Sequence, residues 1–178
     1  MILSHRRRLL GAALALPFAG SAFAQLTCGS LTARQTEGPF FKTDTPQRSS
    51  FLEKGDKNVL VVRGLVLSAQ CKPVKNALLD FWHADELGNY DNQGFRYRGH
   101  QFTDAQGRFR LETIVPAEYP GRARHIHVKV QAPGKRLLTT QLYFPNDPGN
   151  ARDGLYRRDL EIRDFQKGEG KFDFVVEA

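Results

Sequence analysis

The sequence has 178 residues, of which 40% are hydrophobic and 25% are charged, and its formal net charge is +7. This length and composition fit one globular domain and exclude both a pair of sizeable domains and a disordered chain. Lys and Arg are scattered, which argues against a nucleic-acid-binding surface, and no apolar run reaches the ~18–20 residues that cross a bilayer.

Residues 1–24 have the organisation of an export signal. Three arginines at positions 6–8 precede an apolar stretch over residues 9–18, and Ala-Phe-Ala at positions 22–24 forms a cleavage site of the A-x-A type. We therefore expect the mature protein to be periplasmic or secreted, without a membrane span. The arginine pair also resembles a twin-arginine signal, and ordinary secretion is the alternative. Removal of the three arginines lowers the net charge from +7 to +4.

Residues 25–58 are predicted to form an N-terminal arm with little regular structure, because Thr, Ser, Gly, Pro and charged residues dominate it. The chain has two cysteines, Cys28 in the arm and Cys71 in the body of the domain. Export to an oxidising compartment favours a disulfide between them over two free thiols. Such a disulfide would tie the arm to the domain.

From residue 59 onward, short β-branched or alternating segments are separated by Gly, Pro and Asn turns. Strands are predicted over residues 60–67, 77–82, 108–114, 125–131, 137–144 and 172–176. The connecting segments are predicted as a loop at 87–94, turns at 104–107 and 146–149, and one turn of helix at 153–158. Many short strands with few helical signals predict an antiparallel sandwich or barrel.

The first chemical signal is the pair His125 and His127. Alternate residues of a strand point to the same side, so both imidazoles could reach one metal ion while Ile126 packs on the opposite face. Taken alone, the pair is more simply two histidines on a polar sheet face. No further His or Cys nearby completes a zinc site, so a metal bound here needs oxygen ligands.

Two tyrosines could supply these oxygen ligands. Tyr119 precedes His125 by six residues, across a Pro-Gly segment that is expected to turn, and Tyr90 lies in the Gly- and Asn-rich loop. A phenol has a pKa of about 10, so only a hard, highly charged cation would hold two phenolates at neutral pH. Ferric iron fits better than zinc or calcium. The alternative for each tyrosine is a half-buried side chain with its hydroxyl at the surface.

Short segments between residues 36 and 150 form a set of motifs in a fixed order. They are Thr-Glu-Gly-Pro-Phe at 36–40, Asp-Phe-Trp-His-Ala-Asp at 80–85, Gly-Asn-Tyr at 88–90, residues 98–104, 107–109 and 113–116, Tyr-Pro-Gly-Arg at 119–122, His-Ile-His at 125–127, and residues 140–145. Together they resemble the motifs of the intradiol ring-cleavage dioxygenases. The resemblance implies an all-β fold, an antiparallel β-sandwich of two packed sheets with long loops, as the catalytic domain over residues 59–178.

The resemblance also implies a ferric site with one Fe³⁺ per chain, completed by a hydroxide or water. Its implied ligands are Tyr90, Tyr119, His125 and His127. Tyr119 would leave the metal when substrate binds, and Arg122 would stabilise negative charge on the substrate ring. The implied reaction inserts both atoms of O2 into a small aromatic diol between its hydroxyls and gives a muconate-type product.

The sequence departs from the family pattern at Ala123 and Arg124, where Thr-Pro or Pro-Ala is more usual. Arg124 could favour a carboxylated catechol or simply face solvent. No segment resembles the helical dimerisation domain of catechol 1,2-dioxygenases, and a homo-oligomer of another kind is compatible with the sequence. Two other functions stay open: a non-catalytic exported β-sandwich that binds aromatic ligands or a protein partner, and a hydrolytic zinc or copper site.

Overall fold

The computed structural model describes residues 28–178, so the export signal predicted for residues 1–24 lies outside the described residues. The described chain consists of nine strands and one short 3-10 helix, Arg158–Leu160. The strands are β1 (Val59–Ser68), β2 (Leu78–Trp82), β3 (Arg98–Phe102), β4 (Arg108–Ile114), β5 (His125–Gln131), β6 (Leu138–Tyr143), β7 (Arg163–Gln166), β8 (Glu169–Lys171) and β9 (Phe174–Val176). Within this part of the chain, no helix has the length and hydropathy needed to span a membrane.

The strands form two sheets that share one hydrophobic core. The first sheet has the order β4-β1-β8-β7, with β9 also paired to β1, and the second has the order β3-β2-β5-β6. Most neighbouring strands are antiparallel, but β1 pairs with β8 and with β9 in parallel. The β-sandwich is therefore confirmed, and the two parallel pairings are a difference from the purely antiparallel prediction.

All six predicted strands are present, and their ends differ from the prediction by two residues at most. Strands β3, β7 and β8 were not predicted, because they lack alternating apolar residues and the β7–β8 hairpin is largely exposed. The helical turn predicted for residues 153–158 is wrong. The carboxylate of Asp153 accepts the backbone N–H of Leu155 at 2.9 Å, a local bond that favours a turn over a helix.

Residues 28–58 contain no strand and run along the edges of both sheets. The backbone N–H groups of Gln35, Arg48 and Phe51 donate to carbonyl oxygens of β6, β3 and β4 at 2.9, 2.8 and 2.8 Å. Unpaired edge strands tend to pair with other chains, so the arm protects three edges and also lies close to the second sheet's outer face.

The predicted disulfide is present between Cys28, in the arm, and Cys71, in the turn that follows β1. It closes a loop with a sequence separation of 43 residues. A cross-link over this length restricts the unfolded chain and holds the start of the arm on the domain.

Strand β5 shows how the sequence places the candidate site. Ile126, Val128 and Val130 are fully buried in the core between the sheets. The two-residue period of a strand then directs His125 and His127 to the outer face of the second sheet. The arm and the loops cover that face, so the two histidines are only 4% and 3% exposed.

Candidate metal site

One lateral row of residues crosses the outer face of the second sheet. Trp82 on β2 is the register partner of Arg98 on β3 and of His127 on β5. His127 is in turn the partner of Gln141 on β6. The ring of Trp82 stacks on that of His127, with centroids 4.8 Å apart and planes at 7°. The row therefore fixes the orientation of one of the predicted ligands.

Three donor atoms converge beside this row. The Tyr90 Oη lies 3.2 Å from Nε2 of His125, which lies 3.1 Å from Nε2 of His127. Two ligands each about 2.1 Å from one ion would be separated by roughly 3.0–3.4 Å. Residues 28–178 contain no cluster of three His, Cys, Asp or Glu residues that could hold a metal. The donor set that fits an ion here is therefore one of imidazoles and phenols.

Burial sets the protonation of these donors. It lowers the pKa of His125 to about 4 and the pKa of His127 well below its usual value, so both rings are neutral at pH 7. His125 Nδ1 lies 2.7 Å from the carbonyl oxygen of Ala123; because a carbonyl only accepts, Nδ1 carries the hydrogen and Nε2 offers a lone pair. Burial raises the pKa of Tyr90 well above its ordinary value, so its deprotonation requires a strongly positive partner.

Tyr119 reaches the site from a separate loop. A turn through Pro120 and Gly121 is closed by the N–H of Arg122, which donates to the Tyr119 carbonyl at 2.8 Å. Gly121 has a φ of +80°, as a type II turn requires. The half-buried Tyr119 ring packs edge-on against Tyr90 with centroids 5.8 Å apart. Within residues 28–178 its hydroxyl has no hydrogen-bond partner, so ring packing alone holds this side chain.

The two tyrosine-bearing loops touch at Gly88. This residue has a φ of +85°, and a Cβ there would lie 2.5 Å from the carbonyl oxygen of Glu118. The N–H of Ala117 also donates to the carbonyl of Asp85 at 3.0 Å. Both its conformation and the space around it require glycine at position 88, so this residue sets the separation of the two loops.

Arg122 is held by three side chains. Its Nε donates to the two carboxylate oxygens of Asp153 at 3.0 and 2.9 Å, and its Nη2 donates to Gln141 Oε1 at 2.7 Å and to Tyr143 Oη at 3.2 Å. The Asp153 side chain is only 1% exposed, so the ion pair is largely buried. The charge of Arg122 lowers the pKa of Tyr90 and thus opposes the effect of burial.

Arg124 has a different environment from Arg122. Its Nη1 donates to the carboxylate of Asp147 at 2.9 Å, and the side chains of Arg124 and Asp147 are 40% and 1% exposed. Asp147 lies in the turn at 146–149 that the sequence predicts. Arg124 therefore secures this turn and partly faces solvent, which is one of the two roles that its position next to His125 suggested.

Aromatic residues of the arm complete the site. Phe40 stacks on Tyr90 with centroids 4.4 Å and planes 15° apart, and Phe41 packs on Trp82 at 4.9 Å. No role was predicted for these three aromatic neighbours of the ligands. Phe40 and Trp82 lie within the motif segments, but only the strand register and the path of the arm show what they contact.

The fold and the site together define an all-β protein with phenol and imidazole donors on the outer face of one sheet. The family model described as Dioxygenase matches residues 36–158. Catechol 1,2-dioxygenase 2 of Acinetobacter lwoffii is 33% identical over 168 residues, which covers 74% of this chain and 61% of that enzyme. The chain thus spans about three fifths of the length of this curated relative.

Two solved structures extend the comparison. The dioxygenase domain of a dioxygenase carbohydrate-binding protein fusion from Streptomyces sp. SirexAA-E is 52% identical, with a TM-score of 0.80 over 84% of this chain and 99% of that one. An intradiol ring-cleavage dioxygenase from Tetranychus urticae is 25% identical, with a TM-score of 0.75 over 84% and 95% of the two chains. The chain belongs to the intradiol ring-cleavage dioxygenase family, and a non-catalytic binding protein is not favoured.

Proposed function

We propose that this protein uses O2 to cleave a catechol-type ring between its two hydroxyls, at one ferric ion per chain, and forms a muconate-type diacid. The proposed ligands are Tyr90, Tyr119, His125 and His127. The observation that carries the proposal is the convergence of Tyr90 Oη and the two Nε2 atoms, at successive separations of 3.2 and 3.1 Å.

The donor set suits a trivalent ion. The two imidazoles are already neutral and offer lone pairs without losing a proton. Two phenolates and one hydroxide would balance three positive charges, so the site could stay buried. When bound, ferric iron would supply the Lewis-acid chemistry that makes a catechol ring reactive toward O2.

The side chains around the donors have separate tasks in this proposal. As a phenolate, Tyr119 would accept one proton of the diol, and the hydroxide would accept the other. Tyr119 suits this role because its hydroxyl has no partner in the described chain and its ring is held by packing alone. Arg122, as the cationic half of its ion pair with Asp153, would direct N–H dipoles toward the electron-rich ring, and Gln141 fixes its Nη2 at 2.7 Å. Phe40 and Trp82 cover the ligand rings and exclude water.

Oxygen uptake by iron-loaded protein tests this function. Catechol, hydroxyquinol, chlorinated catechols and protocatechuate are compared, and product spectra distinguish cleavage between the hydroxyls from cleavage beside them. We expect a coloured protein with a tyrosinate-to-iron absorption band. Tyr90→Phe should lose oxygen uptake and alter the band, whereas Tyr156→Phe, which removes a hydroxyl bonded to Glu161, should keep both.

Two results would overturn the proposal. One is an iron-replete protein that is colourless or that consumes no oxygen with any diol. The other is full activity with zinc or copper, detected by elemental analysis after expression in mixed metals, which would support a different use of the site.

We also propose that the protein is exported through a signal at residues 1–24. The disulfide between Cys28 and Cys71 supports this, because disulfides persist in oxidising compartments. Mass spectrometry of protein recovered from the periplasm or medium should find Gln25 as the first residue. Recovery of only full-length chain from the cytoplasm would contradict export.

A further inference from the structure

Two cations beside the candidate site are committed to partners within the protein. Lys129 Nζ lies 2.6 Å from a carboxylate oxygen of Glu37. Arg98 is 1% exposed, and its guanidinium donates to the backbone carbonyls of Asp91 and Phe40. Glu37 therefore neutralises Lys129, and the charge of Arg98 lies 6.0 Å from the centre of the Tyr90 ring, where a phenolate would balance it.

The arginines on either side of Ala123 are each paired with an aspartate whose side chain is only 1% exposed. Arg124 pairs with Asp147 and is partly exposed, whereas Arg122 uses its Nε on both oxygens of Asp153. Arg122 Nη2 donates at 2.7 Å to Gln141, the register partner of His127, whereas Arg124 bonds to the turn at 146–149. The charge of Arg122 is thus near the site, but a carboxylate in direct contact neutralises it.

This arrangement distinguishes between two kinds of catechol. A carboxylate substituent on the ring loses part of its hydration when it enters the site. The free-energy cost of this loss is offset only if the carboxylate pairs with a free cation. The cations described above are already paired or bound to carbonyls. Glu118, which is exposed and adjacent to Tyr119, adds negative charge. An uncharged ring meets none of these costs, so the same site would favour it.

We propose that Asp153 is a specificity-determining residue that, by neutralising Arg122, makes the site selective for uncharged catechols over catechols with a carboxylate substituent. The proposal rests on the proposed function, because it concerns the relative rates of the same ring cleavage. Asp153 acts through Arg122 and has no separate chemical task in the reaction.

The test compares kcat/KM for 3,4-dihydroxybenzamide and 3,4-dihydroxybenzoate, which have nearly the same shape and differ by one charge. The natural enzyme should favour the amide by on the order of tenfold or more. Asp153→Asn leaves Arg122 without its counterion and should shift the ratio toward the benzoate by about tenfold or more. Asp147→Asn, which frees Arg124 in the same way, should leave the ratio unchanged, and Asp153→Glu should restore the natural preference.

Because both compounds are measured with the same enzyme, a general loss of activity cancels in the ratio of their kcat/KM values. A merely structural role of Asp153 would therefore leave this ratio unchanged. The proposal is overturned if the natural enzyme favours the benzoate, a result that needs no variant to fold. It is also overturned if folded Asp153→Asn keeps the natural ratio or if Asp147→Asn shifts it equally. If neither compound nor catechol is cleaved, the proposed function fails instead.

Discussion

Replacing Arg98 by methionine should weaken the binding of ferric iron by about 100-fold, whereas replacement by lysine should weaken it by less than about tenfold. The Arg98 guanidinium is buried below the Tyr90 ring, with its central carbon 6.0 Å from the ring centroid. Its hydrogen bonds go to backbone carbonyls, and its Nη2 has no partner within residues 28–178. A phenolate at Tyr90 would therefore be the natural counterion of this charge.

The magnitude follows from the distance. If the 6.0 Å between the guanidinium carbon and the ring centroid is taken as the separation, two unit charges at an effective dielectric constant of about 20 attract each other by about 3 kcal/mol. This energy corresponds to roughly 100-fold in a binding constant. Lysine keeps the charge but cannot reproduce the two-armed hydrogen bonding. The loss of iron affinity in Arg98→Lys therefore measures the part of the effect that comes from hydrogen-bond geometry.

Iron affinity is measured by competition between metal-free protein and a chelator, together with thermal unfolding of the metal-free variants. Arg48→Met is the matched control, because Arg48 donates to the backbone carbonyls of Phe95 and Arg98 but does not approach Tyr90. Equal weakening of iron binding by lysine and by methionine at position 98 would contradict a role for the Arg98 charge. An equal loss of affinity in the Arg48 variant, folded to the same extent, would also contradict it.

Three further predictions concern other parts of the chain. Gly88→Ala should lower the free energy of unfolding by about 2 kcal/mol or more and reduce oxygen uptake, because its Cβ would meet a backbone oxygen at 2.5 Å; Gly134→Ala, also at positive φ but with open space around it, should keep oxygen uptake. Burial lowers the pKa of His83 to about 4, below its unfolded value of about 6.5. Neutral His83 therefore contributes up to about 3 kcal/mol to the free energy of unfolding above pH 6.5, and this contribution is lost as the pH falls toward 4. Chemical unfolding at several pH values should show that the free energy of unfolding depends less on pH in His83→Asn than in the natural protein. The same pH dependence in both proteins would contradict this prediction. Replacing Cys28 and Cys71 by serine opens a loop with a sequence separation of 43 residues and should cost up to about 4 kcal/mol in chemical unfolding; equal midpoints with and without the disulfide would refute this estimate.

Local alternation was enough to predict six strands, because their apolar residues repeat with the period of a half-buried sheet. It missed β3, which begins with the buried pair Arg98 and Gly99, since neither residue type signals a strand. The same two-residue period predicted that His125 and His127 share a face. Tyr90 and Tyr119 could be linked to that pair only through the family motifs, because each lies in an irregular loop whose path depends on distant contacts.

The contrast between Arg122 and Arg124 shows where sequence reasoning ends. Residues two apart in an extended segment point to the same side, so the two arginines would be expected to have the same surroundings. The Asp153 carboxylate prevents this, because it accepts the N–H of Ala123 at 3.0 Å as well as Arg122 Nε and so fixes the backbone between the two arginines. Asp153 is 31 residues from Arg122, and its sequence neighbours mark it only as part of a polar turn. The Arg122–Asp153 contact therefore sets the charge near a substrate. It forms only because the loop after β6 folds back over β5, and local sequence patterns do not contain that information.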